Sequence, residues 1–132
     1  MEIRILSAQG RVPISVFHIS GDIDTNSYQE LEKQAEQAHT AGALNIVLDL
    51  TEVGYVSSAG IRAFNHIYRL LQTGTPSESD EAAREGIRAG TFKSPHLKLA
   101  NVKQRVIDAL TVAGVDMFLE IHPDLASAIE AF

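Results

Sequence analysis

Two adjacent serines, Ser57 and Ser58, are the residues best placed to do chemistry; they lie in the run Tyr55-Val56-Ser57-Ser58-Ala59-Gly60. An apolar stretch, Leu44 to Leu50, precedes them. Ile61, Phe64, Tyr68 and Leu71 follow at three- and four-residue spacing. A strand therefore turns into an amphipathic helix that starts near Ser58, with the serines at its N-terminus. A hydroxyl there can cap the helix by accepting a bond from a free amide, which contributes about 1 kcal/mol. One serine suffices for that task. A hydroxyl there can also accept a phosphoryl group. The helix end offers free amides and about half a positive charge to a group carrying roughly −1.5 to −2 charges. Such a group would be tolerated by its host and would change the affinity of a partner docked over the same surface. Capping and phosphate acceptance both remain open for either serine at this point.

A nucleophilic serine would need the G-x-S-x-G elbow. On Ser58 the second glycine is Gly60, but Val56 stands where the first belongs; on Ser57 the two positions are Tyr55 and Ala59. The elbow fails in both registers, and no glycine-rich oxyanion segment is visible, so a small serine hydrolase is the least favoured reading. His18, His39, His66, His96 and His122 are scattered, with no H-x-x-x-H or H-E-x-x-H spacing, which argues against zinc. Gly21-Asp22-Ile23-Asp24 places two acids at a strand-to-helix turn, where turn formation and capping account for them better than a cation does. No metal or cofactor is expected, and no enzymatic activity.

The elements that must position the serines can be read along the chain. Residues 3–8 suit a short edge strand, and Gly10-Arg11 a turn. In 12–20, Val12, Ile14, Val16 and His18 fall on one face and Ser15, Phe17 and Ile19 on the other. Ser27-Tyr28-Gln29-Glu30 has capping-box spacing. Tyr28, Leu31, Ala35 and Ala38 form the stripe of a first helix, which Gly42 ends. Leu44–Leu50 reads as a central strand covered on both faces. Residues 73–95, with Gly74, Pro76, Gly86, Gly90 and Pro95, read as an insertion or long loop, with a short helix over 79–88 as an option. A strand at 96–100 follows, then a helix carrying Val102, Val106, Leu110 and Ala113 and ending at Gly114. A last strand spans 117–121, and Pro123 opens a fourth helix with Leu125, Ile129 and Phe132. The order β-β-α-β-α-β-α-β-α predicts one α/β domain over 1–132. Its sheet is mixed, mostly parallel and of four to five strands, with about four helices packed against it.

Bulk properties narrow the partners. The chain has 132 residues, 45% apolar, 21% charged, with a net charge of −6 and no cysteine. It can bury one core, and it has no basic run for nucleic acid or an anionic membrane. Without thiols, a signal-like N-terminus or a long apolar run, it reads as cytoplasmic, with no direct membrane contact and no nucleic-acid partner.

Two segments resemble one family. Phe17-His18-Ile19-Ser20-Gly21-Asp22-Ile23-Asp24-Thr25 is similar to its strand, G-x-[IL]-D, helix opening. Asp49-Leu50 through Tyr55-Val56-Ser57-Ser58-Ala59-Gly60-Ile61 is similar to its signature D-L-S-x-V-x-[FY]-[IVM]-[DS]-S-[STA]-G-[LI]. The family is the STAS domain, typified by bacterial anti-sigma factor antagonists. The resemblance implies a phosphorylation-controlled switch. Dephosphorylated, the domain sequesters an anti-sigma factor, a serine kinase of the histidine-kinase-like ATPase type, and so regulates transcription. The kinase phosphorylates the serine, and a serine phosphatase resets it. The phosphoacceptor falls on Ser58. Ser57 occupies a position where the family often has aspartate and is the second choice. The implied partner surface takes in Asp22, Asp24, Thr25, Ser57, Ser58, Ala59, Gly60 and Arg62. The alternative is a non-switching STAS scaffold module of the stressosome, transporter-associated or lipid-transport type. Homodimerisation stays open.

Overall fold

The computed structural model of the protein describes residues 1–72 and 94–132. Five strands form one sheet in the order β1-β2-β3-β4-β5. They are β1 (Glu2–Gln9), β2 (Pro13–Ser20), β3 (Ile46–Glu52), β4 (Leu97–Ala100) and β5 (Glu120–His122). β1 pairs antiparallel with β2 as a hairpin, and the remaining pairs are parallel. Each parallel step needs a crossover. Helices α1 (Tyr28–Thr40), α2 (Ser58–Gln72) and α3 (Gln104–Val112) supply residues to one core on the front of the sheet. Monotonic strand order with a single crossover hand keeps all three on that face. The mixed, mostly parallel α/β arrangement predicted from the element order is the one observed.

Strand alternation separates two cores. Phe17, Ile19, Ile46, Leu48, Leu50, Leu97 and Leu99 point forward to Leu31, Ala35, Phe64, Ile67, Val106 and Leu110. Ile14, Val16, Val47 and Ala100 point backward to Ala128 of the short helix α4 (Leu125–Glu130). Lys98 also points backward from a central strand. Its side chain is 1% exposed, pairs with Glu120 at 2.7 Å and lies 5.0 Å from the centre of the Phe132 ring. A buried ammonium persists only with such partners.

Several boundaries differ from the sequence reading. Ser27 precedes α1, but no side-chain cap bond forms. Its hydroxyl instead accepts from the Asp24 amide and donates to the Asp22 carbonyl, so the capping box does not exist. Pro123 lies outside α4, whose cap is Asp124, accepting from the Ser127 amide. Met117 ends a 3-10 turn, Val115–Met117, and the last strand begins later, at Glu120. The expected insertion at 73–95 lies outside the described residues except at its end. Ser94 is fully buried there; its amide donates to the Phe118 carbonyl, and its hydroxyl accepts from the amides of His96 and Leu97. The optional helix over 79–88 also lies outside the described residues.

Candidate functional site

The two loops that leave the carboxyl ends of β2 and β3 are joined to each other. Gly21, at φ +99, donates to the Glu52 carbonyl at 3.0 Å; Ile23 donates to the Tyr55 carbonyl at 3.0 Å; and Ser57 donates to the Ile23 carbonyl at 2.9 Å. Ile23 and Val56 form an isolated parallel bridge. Both side chains are buried. The β2 loop and the start of α2 therefore form one edge, with Asp22, Asp24 and Thr25 on one side and Ser57, Ser58 and Arg62 on the other.

The structure separates the two serines. The Gly60 amide donates to the Ser57 hydroxyl at 3.3 Å, and the Ile61 amide donates to the Ser57 carbonyl at 2.9 Å. Ser57 is the helix cap. Ser58 is the first residue of α2 and is exposed. Among the described residues its hydroxyl takes no partner. The first turn of α2 carries no acidic residue, so no carboxylate within it offsets the positive end of the helix dipole. Ser57→Ala should lower unfolding stability by about 1 kcal/mol, read by urea denaturation, and should leave Ser58 accessible.

The other residues expected at this surface divide by burial. Asp22, Thr25 and Arg62 are exposed and Asp24 is half-buried. Arg62 stands four residues after Ser58, one turn along the same face. Asp24 is committed to its own turn, its Oδ1 accepting from the Asn26 amide at 2.9 Å and from the Ser27 hydroxyl at 3.2 Å. Ala59 and Gly60 are buried, so they face the core and shape the backbone beneath the surface. A Cβ on Gly60 would lie 2.7 Å from the Ile23 carbonyl oxygen and 2.7 Å from Val56 Cγ1. That approach, and no special backbone angle, is why the position holds glycine. Tyr55, between buried Val53 and Val56, is 55% exposed. It is a large aromatic held out on a pinned backbone, and its exposure does not follow from the sequence pattern.

A polar cluster at the root of both loops was also not legible in the sequence. His18 Nδ1 lies 3.1 Å from Asp49 Oδ2, and its Nε2 lies 3.1 Å from Glu52 Oε2. The Ser20 hydroxyl donates to the same Glu52 oxygen at 2.6 Å. Asp49 Oδ1 accepts from the Thr51 hydroxyl, the Thr51 amide and the Asn101 side-chain amide. Asn101 sits at φ +56, a conformation asparagine tolerates better than most residues. The bond to Asp49, then that to Glu52, raises the His18 imidazole above its ordinary value. Burial pushes the Asp49 carboxyl up, but the bonds from Thr51, Asn101 and His18 outweigh it and hold it low. Glu52 is held low by the Ser20 hydroxyl and then by His18.

The sign of the resulting pH dependence follows from these directions. The contribution of His18 is complete below about pH 6.5 and is lost as pH rises through its raised folded value. Asp49 and Glu52 contribute above about pH 4 to 4.5 and lose their contribution as pH falls through their lowered values. The His18 contribution to the melting temperature should therefore fall from about pH 6.5 towards 8.5, so wild type should lose melting temperature relative to His18→Gln over that range. An unchanged slope in the variant would show that another group carries it.

Among the described residues no group of three or more His, Cys, Asp or Glu could hold a metal ion, and no helix is long and apolar enough to cross a membrane.

The STAS domain family profile matches residues 6–75, more than half of the chain. Among solved structures, an anti-sigma factor antagonist from Mycobacterium paratuberculosis superposes with a TM-score of 0.67 at 22% identity, over 98% of this chain and 93% of that one. The Bacillus cell fate determinant SpoIIAA in its phosphorylated form gives 0.61 at 12% identity, over 98% and 97%. The anti-sigma factor antagonist SpoIIAA in its unphosphorylated form gives 0.58 at 14% identity, over 98% and 96%. At these identities the likeness is one of fold. No curated protein sequence matches the chain.

Proposed function

The chain belongs to the STAS domain family, and from that premise we propose that it is an anti-sigma factor antagonist controlled by phosphorylation of Ser58. The observation that carries the reading is the division of labour between the serines. Ser57 caps α2, which leaves the neighbouring hydroxyl of Ser58 exposed on the joined edge of the two loops. Unphosphorylated, that edge binds an anti-sigma factor that is itself a serine kinase of the histidine-kinase-like ATPase type. The kinase transfers the γ-phosphoryl group of ATP to the Ser58 oxygen, releasing ADP and the hydroxyl proton. A serine phosphatase hydrolyses the phosphoserine with water, restoring the hydroxyl and releasing inorganic phosphate. The protein is the substrate in both reactions.

The local electrostatics suit this cycle. A phosphate on Ser58 would sit against the N-terminus of α2, whose first turn carries no acidic residue, and Arg62 could reach it from the next turn. The host would thus be little disturbed. A kinase surface complementary to a neutral hydroxyl beside Asp22 and Asp24 would instead meet added negative charge. The fold shared with SpoIIAA, solved in both phosphorylated and unphosphorylated forms, supports the same reading.

The test is a binding comparison with a candidate anti-sigma factor kinase from the same genome. Wild type and Ser58→Ala should bind it in the presence of ADP, whereas Ser58→Asp should bind it more weakly. Equal retention of all three proteins would remove Ser58 from the switch.

A further inference from the structure

We propose that charged His18 is a positioning residue, a clamp that holds the ends of β2 and β3 together and so sets the partner-binding geometry of Asp24 and Ser58. The inference deepens the reading of Ser58 as the switch and rests on it. Its structural half can be measured without a partner.

The clamp exists because of an irregularity in the sheet. His18 pairs with Asp49, but Ser20 pairs with Glu52, so β3 carries one extra residue between the two pairs. A bulge of this kind re-aims the side chains that follow it. With strict alternation, Asp49 and Glu52 would point to opposite faces. The extra residue turns Glu52 back to the face of His18. One imidazole is thereby flanked by two carboxylates on both of its nitrogens.

Only the imidazolium can donate to both. The neutral ring donates once and presents a lone pair to the other carboxylate. Among the described residues, the groups that face it from neighbouring elements are few. Arg4 of β1 is its register partner and acts on Glu52; Asp49 and Glu52 come from β3; Ser20 comes from its own strand; and Asn101, after β4, reaches it through Asp49. With the ring charged, Arg4 and His18 balance the two acids. With it neutral, the acids are in excess, and Glu52 retains Ser20 and the field of Arg4 but loses the charge of the imidazolium.

The two residues held by the clamp are the last of their strands. Ser20 leads into Gly21, Asp22 and Ile23, and Glu52 into Tyr55, Val56 and Ser57. Those segments are joined by the Gly21, Ile23 and Ser57 amide bonds. A change of spacing between Ser20 and Glu52 is therefore passed to the Ile23–Val56 bridge, on which the start of α2 rests through Gly60. The loss of charge on His18 loosens the edge that the partner reads, and partner affinity falls with it.

The experiment is amide NMR of the full chain from about pH 5.5 to 8.5, with kinase affinity measured over the same range. The amides of Gly21, Ile23, Ser57 and Gly60 should shift with the midpoint of the His18 ring. Affinity should fall about fivefold or more as the ring is neutralised. Both profiles should be flat in His18→Gln. Loop amides that ignore the ring, or that keep their profile in His18→Gln, would overturn the proposal. So would a flat affinity profile in a protein whose Ser58 switch works. Loop amides that follow the ring in a protein that binds no anti-sigma factor would uphold the clamp and remove the function it serves. The wild-type titration requires no variant, so a misfolded His18→Gln protein leaves the test intact.

Discussion

Phosphorylated Ser58 is expected to bind the anti-sigma partner at least about a hundredfold more weakly than the free hydroxyl. Like charge brought to a docked surface costs several kcal/mol, and each 1.4 kcal/mol is about tenfold in affinity. The phosphoryl group brings nearly two charges to an edge that already carries Asp22 and Asp24. Ser58→Asp brings one charge and a shorter side chain, so its effect should be smaller, about tenfold. Ser58→Ala removes only an exposed hydroxyl and should bind within about a factor of two of wild type. Stability should be nearly unchanged in all three, because Ser58 is exposed and the cap bond belongs to Ser57. Isothermal titration against the kinase, with denaturation curves in parallel, separates a change of surface from a change of fold.

Gly60→Ala is expected to destabilise the protein by about 2 kcal/mol, in the range of core overpacking. Two effects compete. Alanine favours a helix over glycine by about 0.8 to 1 kcal/mol. Against that, the new Cβ would meet the Ile23 carbonyl oxygen at 2.7 Å and Ile23 Cγ2 at 2.9 Å. The first of these is backbone, so relief requires α2 to move away from the Ile23 segment and no rotamer change suffices. The clash outweighs the propensity. The movement stretches the Ser57-to-Ile23 bond, so partner affinity should fall with stability. Gly54→Ala is the control. Its Cβ would meet only Asp22 Oδ1, at 3.9 Å, and its stability should stay within about 0.5 kcal/mol of wild type. Equal losses for the two variants would refute the packing account of Gly60.

Those predictions use features of unequal visibility in the sequence. The apolar run Leu44–Leu50 and the stripe Tyr28, Leu31, Ala35 and Ala38 mark their elements because burial repeats at the period of the structure. α1 lies where its stripe suggests; β3 overlaps the apolar run but is shifted two residues along, Ile46–Glu52, and leaves Leu44 outside it and exposed. The start of α2 at Ser58 was legible for the same reason. Which serine caps was not, because adjacent hydroxyls are equivalent in a pattern and differ only in backbone position. The capping box at Ser27–Glu30 was a false signal. The Asp22–Asp24 turn offered the Ser27 hydroxyl nearer partners than the helix did. The His18 clamp was invisible for a different reason. It depends on one extra residue in β3, and period-two reasoning assigns Glu52 to the wrong face once a bulge intervenes. The burial of Ala59 and Gly60 at a surface motif is likewise a tertiary fact, set by how closely α2 crosses Ile23.

The central claim is that Ser58, and not its capping neighbour, receives the phosphate. Incubation of the full chain with a candidate anti-sigma factor kinase and ATP, followed by mass spectrometry that localises the modification, tests it most directly. The account predicts one phosphate on Ser58, retained in Ser57→Ala and absent in Ser58→Ala. Phosphate on Ser57 in the wild-type protein, or only on residues remote from both serines, would contradict it.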